Sequence, residues 1–134
     1  MTNNLWLNLP VQDLQASKDF FTSIGFRINP IMGNTPVSAC LLVGSKDSVV
    51  MLFQQDMFQS LTGAELPDLS TTAQILISID ATSKEEVDAY ASKVTLAGGV
   101  VFSAPKDHGN NMYGCGFNDL DGHKWNVLYM EGMA

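Results

Sequence analysis

Leu5-Trp6-Leu7-Asn8-Leu9-Pro10-Val11 nearly alternates apolar and polar positions, the period of a half-buried strand. Pro10 has no N–H for a ladder, which limits the end of that strand to an edge or terminal position. Asp13 follows as a helix cap, because its carboxylate can accept from the free amides of the first turn. Ser17, Phe20, Phe21 and Ile24 recur at helical spacing, and Gly25 stops the helix. Residues 26–31, 37–43 and 48–53 then read as three strands, the last two joined by the turn Gly44-Ser45-Lys46-Asp47.

The second half repeats that order. Residues 74–79 form a strand, and Ser83-Lys84-Glu85-Glu86 is a capping box in which Ser83 and Glu86 reciprocally satisfy free amides. Val87, Tyr90, Ala91 and Val94 make the apolar helix face, and Gly98-Gly99 ends it. Residues 100–103, 112–117 and 124–130 complete three more strands, which leaves 106–111 as a loop. An offset of 75 lays Cys115 over Cys40 and Asn126 over Met51, and the helices align at an offset of 66. The chain is thus expected to be one α+β domain, residues 1–134, made of a βαβββ unit 1–54, a linker 55–72 and a βαβββ unit 73–134. Asp56-Met57-Phe58-Gln59-Ser60-Leu61 is a weak helical piece inside the linker.

Composition narrows the function classes. Seven Lys and Arg against fourteen Asp and Glu give a net charge of −7 over 134 residues. No basic stripe can form, so the expected partners include neither nucleic acid nor an anionic membrane surface. No stretch approaches the about 20 apolar residues that span a bilayer, and Met1-Thr2-Asn3-Asn4 lacks the basic start of a signal peptide. The expected setting is cytoplasmic, consistent with two cysteines that show no scaffold or metal-type spacing.

Two blocks resemble the glyoxalase/bleomycin resistance/extradiol dioxygenase superfamily, also called the vicinal oxygen chelate superfamily. One runs from Leu9-Pro10-Val11-Gln12-Asp13-Leu14 through Ser17-Lys18-Asp19-Phe20-Phe21 to Ile24-Gly25-Phe26. The other is Phe117-Asn118-Asp119-Leu120-Asp121-Gly122-His123-Lys124-Trp125. The resemblance implies two βαβββ units whose curled half-barrel sheets surround a cleft, with a homodimer as the assembly. In enzyme members a divalent metal in the cleft polarises adjacent substrate oxygens as a Lewis acid. Its His, Glu or Gln ligands come from the first and last strands of each unit. By that resemblance the four positions here are Trp6, Met51, Gln74 and Asn126.

Only Gln74 is a residue type the family uses as a ligand. Indole offers no lone pair, a thioether is too soft for hard divalent ions, and a neutral amide is a weak oxygen donor. The expectation is therefore a protein with no metal and no cofactor. Side chains alternate along strands, so Trp6 and Asn8, Met51 and Phe53, and Gln74 and Asn126 are expected to line the cleft, with Tyr113 nearby. Aromatic and thioether walls with a few amides suit a small hydrophobic or aromatic molecule.

No catalytic set stands out. His108 in its loop and His123 in its turn read as exposed, and Cys115 as a buried strand thiol that nothing orients toward a base. Glu85, Glu86 and Asp88 complement the dipole at the start of the second helix. Two other readings compete with ligand binding. One is an enzyme whose metal uses His108 or His123 with Asp107; the other is a non-catalytic dimer whose cleft is filled by its own side chains.

Overall fold

Asp13 caps the first helix as its position predicts: its carboxylate accepts from Ala16 N at 3.0 Å, opening α1 (Leu14–Ser23). Gln54, 40 residues on, accepts from Leu14 N at 2.9 Å and satisfies another first-turn amide. Leu14, Ser17, Phe20 and Phe21 are the buried face of α1, and Ile24 is buried just beyond its end. The computed structural model describes residues 1–132; the last two residues of the expected second unit lie outside them. Among the described residues no helix is long and apolar enough to cross a membrane.

The chain folds as two compact units, the first ending at Pro67 and the second beginning at Asp68. In the first, β1 (Leu7–Val11), β2 (Arg27–Ile28), β3 (Ser38–Val43) and β4 (Ser48–Gln54) form a sheet of order β1-β4-β3-β2, with β1 parallel to β4. In the second, β5 (Leu76–Asp80), β6 (Val100–Gly109), β7 (Met112–Asn118) and β8 (Lys124–Met130) repeat that order as β5-β8-β7-β6. In the first unit α1 packs on the sheet and a second helix, Gln55–Thr62, also touches β1 and β4; in the second unit α3 (Lys84–Leu96) packs on the sheet. The α+β class and the paired βαβββ units are as expected, and neither sheet closes into a barrel.

Several boundaries differ from expectation, each for a local reason. The second strand shrinks to two residues because Asn29 turns the chain away: its side-chain Oδ1 accepts from Ile31 N and Met32 N. The linker holds a true helix, α2 (Gln55–Thr62), ended by Gly63 at φ 69°. The expected loop 106–111 is instead the end of the ten-residue β6 and a two-residue turn. Asn110 and Asn111 take φ 53° and 60°, the left-handed pair of a type I′ hairpin between Gly109 and Met112. Ser83 caps α3 as expected, accepting from Glu86 N at 3.1 Å, but Glu86 reaches back to Thr82 N and Thr82 Oγ1 rather than to Ser83.

The repeat offset also needs correction. Cys40 pairs with Met51, whereas Cys115 pairs with Val127 and Gly116 with Asn126. The offset of 75 therefore holds for β4 and β8, while β3 aligns with β7 at 76. That one-residue slip places the two cysteines on opposite sheet faces, since side chains alternate.

Asp119 governs the turn between β7 and β8. Its Oδ1 accepts from Asp121 N and His123 N, both at 3.0 Å, and its Oδ2 accepts from Trp125 Nε1 at 3.1 Å. Trp125, fully buried, stacks on Phe117 at 6.1 Å with planes 2° apart. The Asp-x-Asp-Gly block is thus a structural device that fixes where β8 begins. Burial pushes the Asp119 carboxyl above the ordinary carboxylate range, while His123 and the N–H donors pull it back down.

Asp119→Ala leaves three donors without their acceptor and is expected to cost roughly 2–4 kcal/mol in denaturant unfolding. The folded chain holds the Asp119 proton to higher pH than the unfolded chain, whose carboxyl titrates near 3.8. Its contribution to stability is therefore largest below that value and declines as pH rises through the folded-state pKa. Unfolding midpoints of wild type and Asp119→Asn across that range should diverge in slope; parallel curves would show that Asp119 is not the titrating group.

Candidate functional site

Alternation along the strands gives each sheet a helix-facing side and an opposite side. In the first unit Val50 and Leu52 of β4 are buried on the α1 side with Ala39 and Leu41 of β3. The opposite side carries Asn8 across from Met51, Cys40 also across from Met51, and Ser38 across from Phe53. Three expected site residues, Asn8, Met51 and Phe53, therefore share the side away from α1. Trp6 precedes the first paired residue and is 54% exposed.

That face is partly covered by its own chain. The segment after β2 folds back so that Ser38 Oγ donates to the Gly33 carbonyl at 2.8 Å. A Cβ on Gly33 would lie 2.8 Å from Met51 Cε and 3.0 Å from Cys40 Cβ. Gly33 is required by this approach, and Met51 is half-buried beneath it.

In the second unit Trp125, Val127, Cys115 and Phe117 are buried on the α3 side. Tyr113 shares their strand parity, so it lies on the helix side and not with Asn126. Its hydroxyl donates to Asp88 Oδ1 of α3 at 2.7 Å, a bond that holds the phenol proton above its ordinary range. The Cys115 thiol, 3.9 Å from the Val87 carbonyl, is pushed up to about 11 by burial and is no nucleophile near neutral pH. His108, on β6, is exposed.

Gln74 also lies away from the expected group. β5 begins at Leu76, and Gln74 is exposed two residues before it. Asn8 pairs with Met51 in the first unit and Ser78 with Asn126 in the second. Matching those pairs makes Leu76, rather than Gln74, the counterpart of Trp6.

Of the positions that the resemblance implies, the first unit holds an indole (Trp6) and a thioether (Met51), and the second holds the alkyl chain of Leu76 beside the exposed Gln74, and the neutral amide of Asn126. An indole, a thioether, an alkyl chain and a neutral amide do not fit a hard divalent cation. Among the described residues no group of three His, Cys, Asp or Glu could hold a metal ion.

The side of the second sheet away from α3 carries two side-chain oxygens without a partner among the described residues. Asn126 Oδ1 and Asn118 Oδ1 are both buried and have no hydrogen-bond partner among the described residues. The register sets them on one side: Asn126 faces Gly116, and Asn118 faces Lys124. Beside them β6 bulges between Val101 and Ser103, which oppose the adjacent residues Phe117 and Gly116. The extra residue is Phe102. Its ring lies where a Gly116 side chain would stand, 2.6 Å from the position of a Cβ, yet Phe102 remains 50% exposed. Lys124 Nζ is 6.0 Å from that ring and donates to the Leu69 and Gly122 carbonyls.

Sequence reasoning missed Phe102 and Asn118. The available signal was Gly116, since a glycine inside a strand marks a close approach. A buried carbonyl without a donor costs about 1–3 kcal/mol, whereas an apolar replacement of similar shape removes the cost. Asn126→Leu is accordingly expected to leave unfolding stability unchanged or raise it by about 1 kcal/mol. A loss above about 1 kcal/mol would mean that the amide is structurally satisfied.

A sequence model described as bleomycin resistance protein-like N-terminal matches residues 4–40. No curated protein matches the chain. A hypothetical protein from S. aureus has 34% sequence identity over 96% of this chain and 94% of its own, with a TM-score of 0.84. A glyoxalase/bleomycin resistance protein/dioxygenase family enzyme from Burkholderia phytofirmans PsJN shares the fold at 18% identity and a TM-score of 0.77, covering 93% of this chain and 96% of its own. The fosfomycin resistance protein FosX from Listeria monocytogenes is similar at 15% identity and a TM-score of 0.65, covering 96% and 93%. With its two βαβββ units and its early and late sequence blocks, the chain belongs to the glyoxalase/bleomycin resistance/dioxygenase family, the vicinal oxygen chelate superfamily.

Proposed function

We propose that this protein is a metal-independent member of its family that binds a small hydrophobic or aromatic compound on the face of the second sheet away from α3. The observation that carries this reading is Asn126. At a strand position where family enzymes would hold a metal ligand, it presents a neutral amide whose oxygen is buried and has no partner among the described residues. Such an atom cannot anchor a hard cation by itself, but it can orient a ligand that donates a hydrogen bond. The exposed ring of Phe102 supplies apolar surface next to it. A homodimer in the cytoplasm is the assembly and setting proposed with this function.

The reading of a self-filled face has its own support in the first unit, where Gly33 is seated against Met51 and Cys40. Ligand binding is therefore assigned to the second unit's face. Drug sequestration, as the bleomycin resistance-like description of the matching sequence model suggests, is the mode of action closest to this chemistry.

Thermal unfolding tests the proposal. With EDTA present, 2-naphthol at a hundred times its dissociation constant should stabilise the protein by about 2.7 kcal/mol and raise Tm by several degrees. Millimolar Mn, Ni or Zn should add nothing. A stoichiometric metal in the purified protein whose removal abolishes naphthol binding, or no response to naphthol at all, would contradict it.

A further inference from the structure

The chain between β2 and β3 is tied firmly to the sheet at its two ends and lightly in between. Asn29 N donates to the Cys40 carbonyl and Gln54 N to the Val37 carbonyl, both at 2.9 Å, so the sheet holds each end. Between them the segment bonds mainly to itself. Asn29 Oδ1 accepts from Ile31 N and Met32 N, Asn34 N donates to the Ile31 carbonyl, and Asn34 Nδ2 donates to the Pro30 carbonyl. Pro30 and Pro36 fix φ on either side. A turn that satisfies its own polar groups keeps its shape when it moves, and the adjustment falls on the few residues at its ends.

One side chain of the sheet fastens the tip of this turn. Among the described residues, the hydrogen bond that joins residues 30–34 to β3 runs from Ser38 Oγ to the Gly33 carbonyl at 2.8 Å. Ser38 Oγ also lies 2.7 Å from Thr35 Oγ1, where the chain turns back toward the strand. Apolar contact adds little to this hold. Ile31 and Met32 are 86% and 68% exposed, and Gly33, which has no side chain, is what rests on Met51 and Cys40. Few buried apolar contacts and a single polar attachment mark a segment that opens at low free energy.

We infer that residues 30–34 form a lid latched by Ser38, which opens and recloses while the rest of the first unit stays folded and so uncovers Met51 and Cys40. The filled face of the first unit is the closed state of this lid. Ligand binding on the second unit's face neither requires this motion nor follows from it.

Cys40 reports the opening, because it lies beneath Gly33 and is buried in the closed state. Alkylation of the whole protein by iodoacetamide in 0–2 M urea, read by peptide mass spectrometry, follows Cys40 and Cys115 together. Lid opening exposes little surface, so the Cys40 rate should stay flat with urea; the Cys115 rate, which needs its unit to unfold, should climb steeply. Ser38→Ala should speed Cys40 by about fivefold, the scale of one lost hydrogen bond, and leave Cys115 unchanged. Gly33→Ala, whose Cβ would meet Met51 Cε at 2.8 Å, should prop the lid and speed Cys40 in the same selective way. A Cys40 rate in wild type that climbs with urea as Cys115 does would overturn the inference. So would a Cys40 rate left unchanged by either substitution.

Discussion

The carboxylate of Asp119 is the constraint on which the second unit depends. It gathers Asp121 N, His123 N and the Trp125 indole onto one buried group, so the chain can leave β7 and enter β8 in only one register. In that register Trp125 and Val127 are driven into the core against α3, and the residue between them must face the other way. Asn126 points to the face away from α3 for this reason. In this chain the Asp119 turn thus sets the face that Asn126 takes.

The residues oriented in this way carry a cost in stability. Buried carbonyl oxygens without donors are unfavourable, and two of them lie on adjacent strands beside a bulge that turns an aromatic ring outward. The first unit shows the contrasting outcome for the same architecture. There the chain after β2 folds over its own sheet, and Met51 packs beneath Gly33. The two units thus differ: Met51 lies beneath Gly33 in the first, and in the second the Asn118 and Asn126 oxygens have no partner among the described residues.

Much of this fold was legible in the sequence. Asp13, Ser17, Phe20, Phe21 and Ile24 announce α1 because cap chemistry and a 3.6-residue period agree. The start of β5 was not legible: Ile75 to Ile79 is a continuous run of strand-like residues, and only pairing with β8 decides that the ladder begins at Leu76. Gln74 therefore lies before β5 and not within it. Lys106-Asp107-His108 has loop composition, yet β7 holds it in a hairpin whose only local sign is Asn110-Asn111. The side of the sheet occupied by Tyr113 depends on the one-residue offset between β3 and β7, which a constant repeat spacing conceals. Asn126 was readable as a polar residue on an inward strand position; its pairing with Asn118 and Phe102 required the register and the bulge.

The most direct measurement is a high-resolution crystal structure of protein purified without chelator and crystallised with Mn2+, with anomalous differences collected for the metal. Metal-independent recognition at Asn126 predicts no anomalous peak in its coordination range of about 2.0–2.6 Å. It also predicts that the Asn118 and Asn126 oxygens accept from a bound molecule or ordered water. A manganese ion coordinated by Asn126, or a protein donor already bonded to both oxygens, would contradict it.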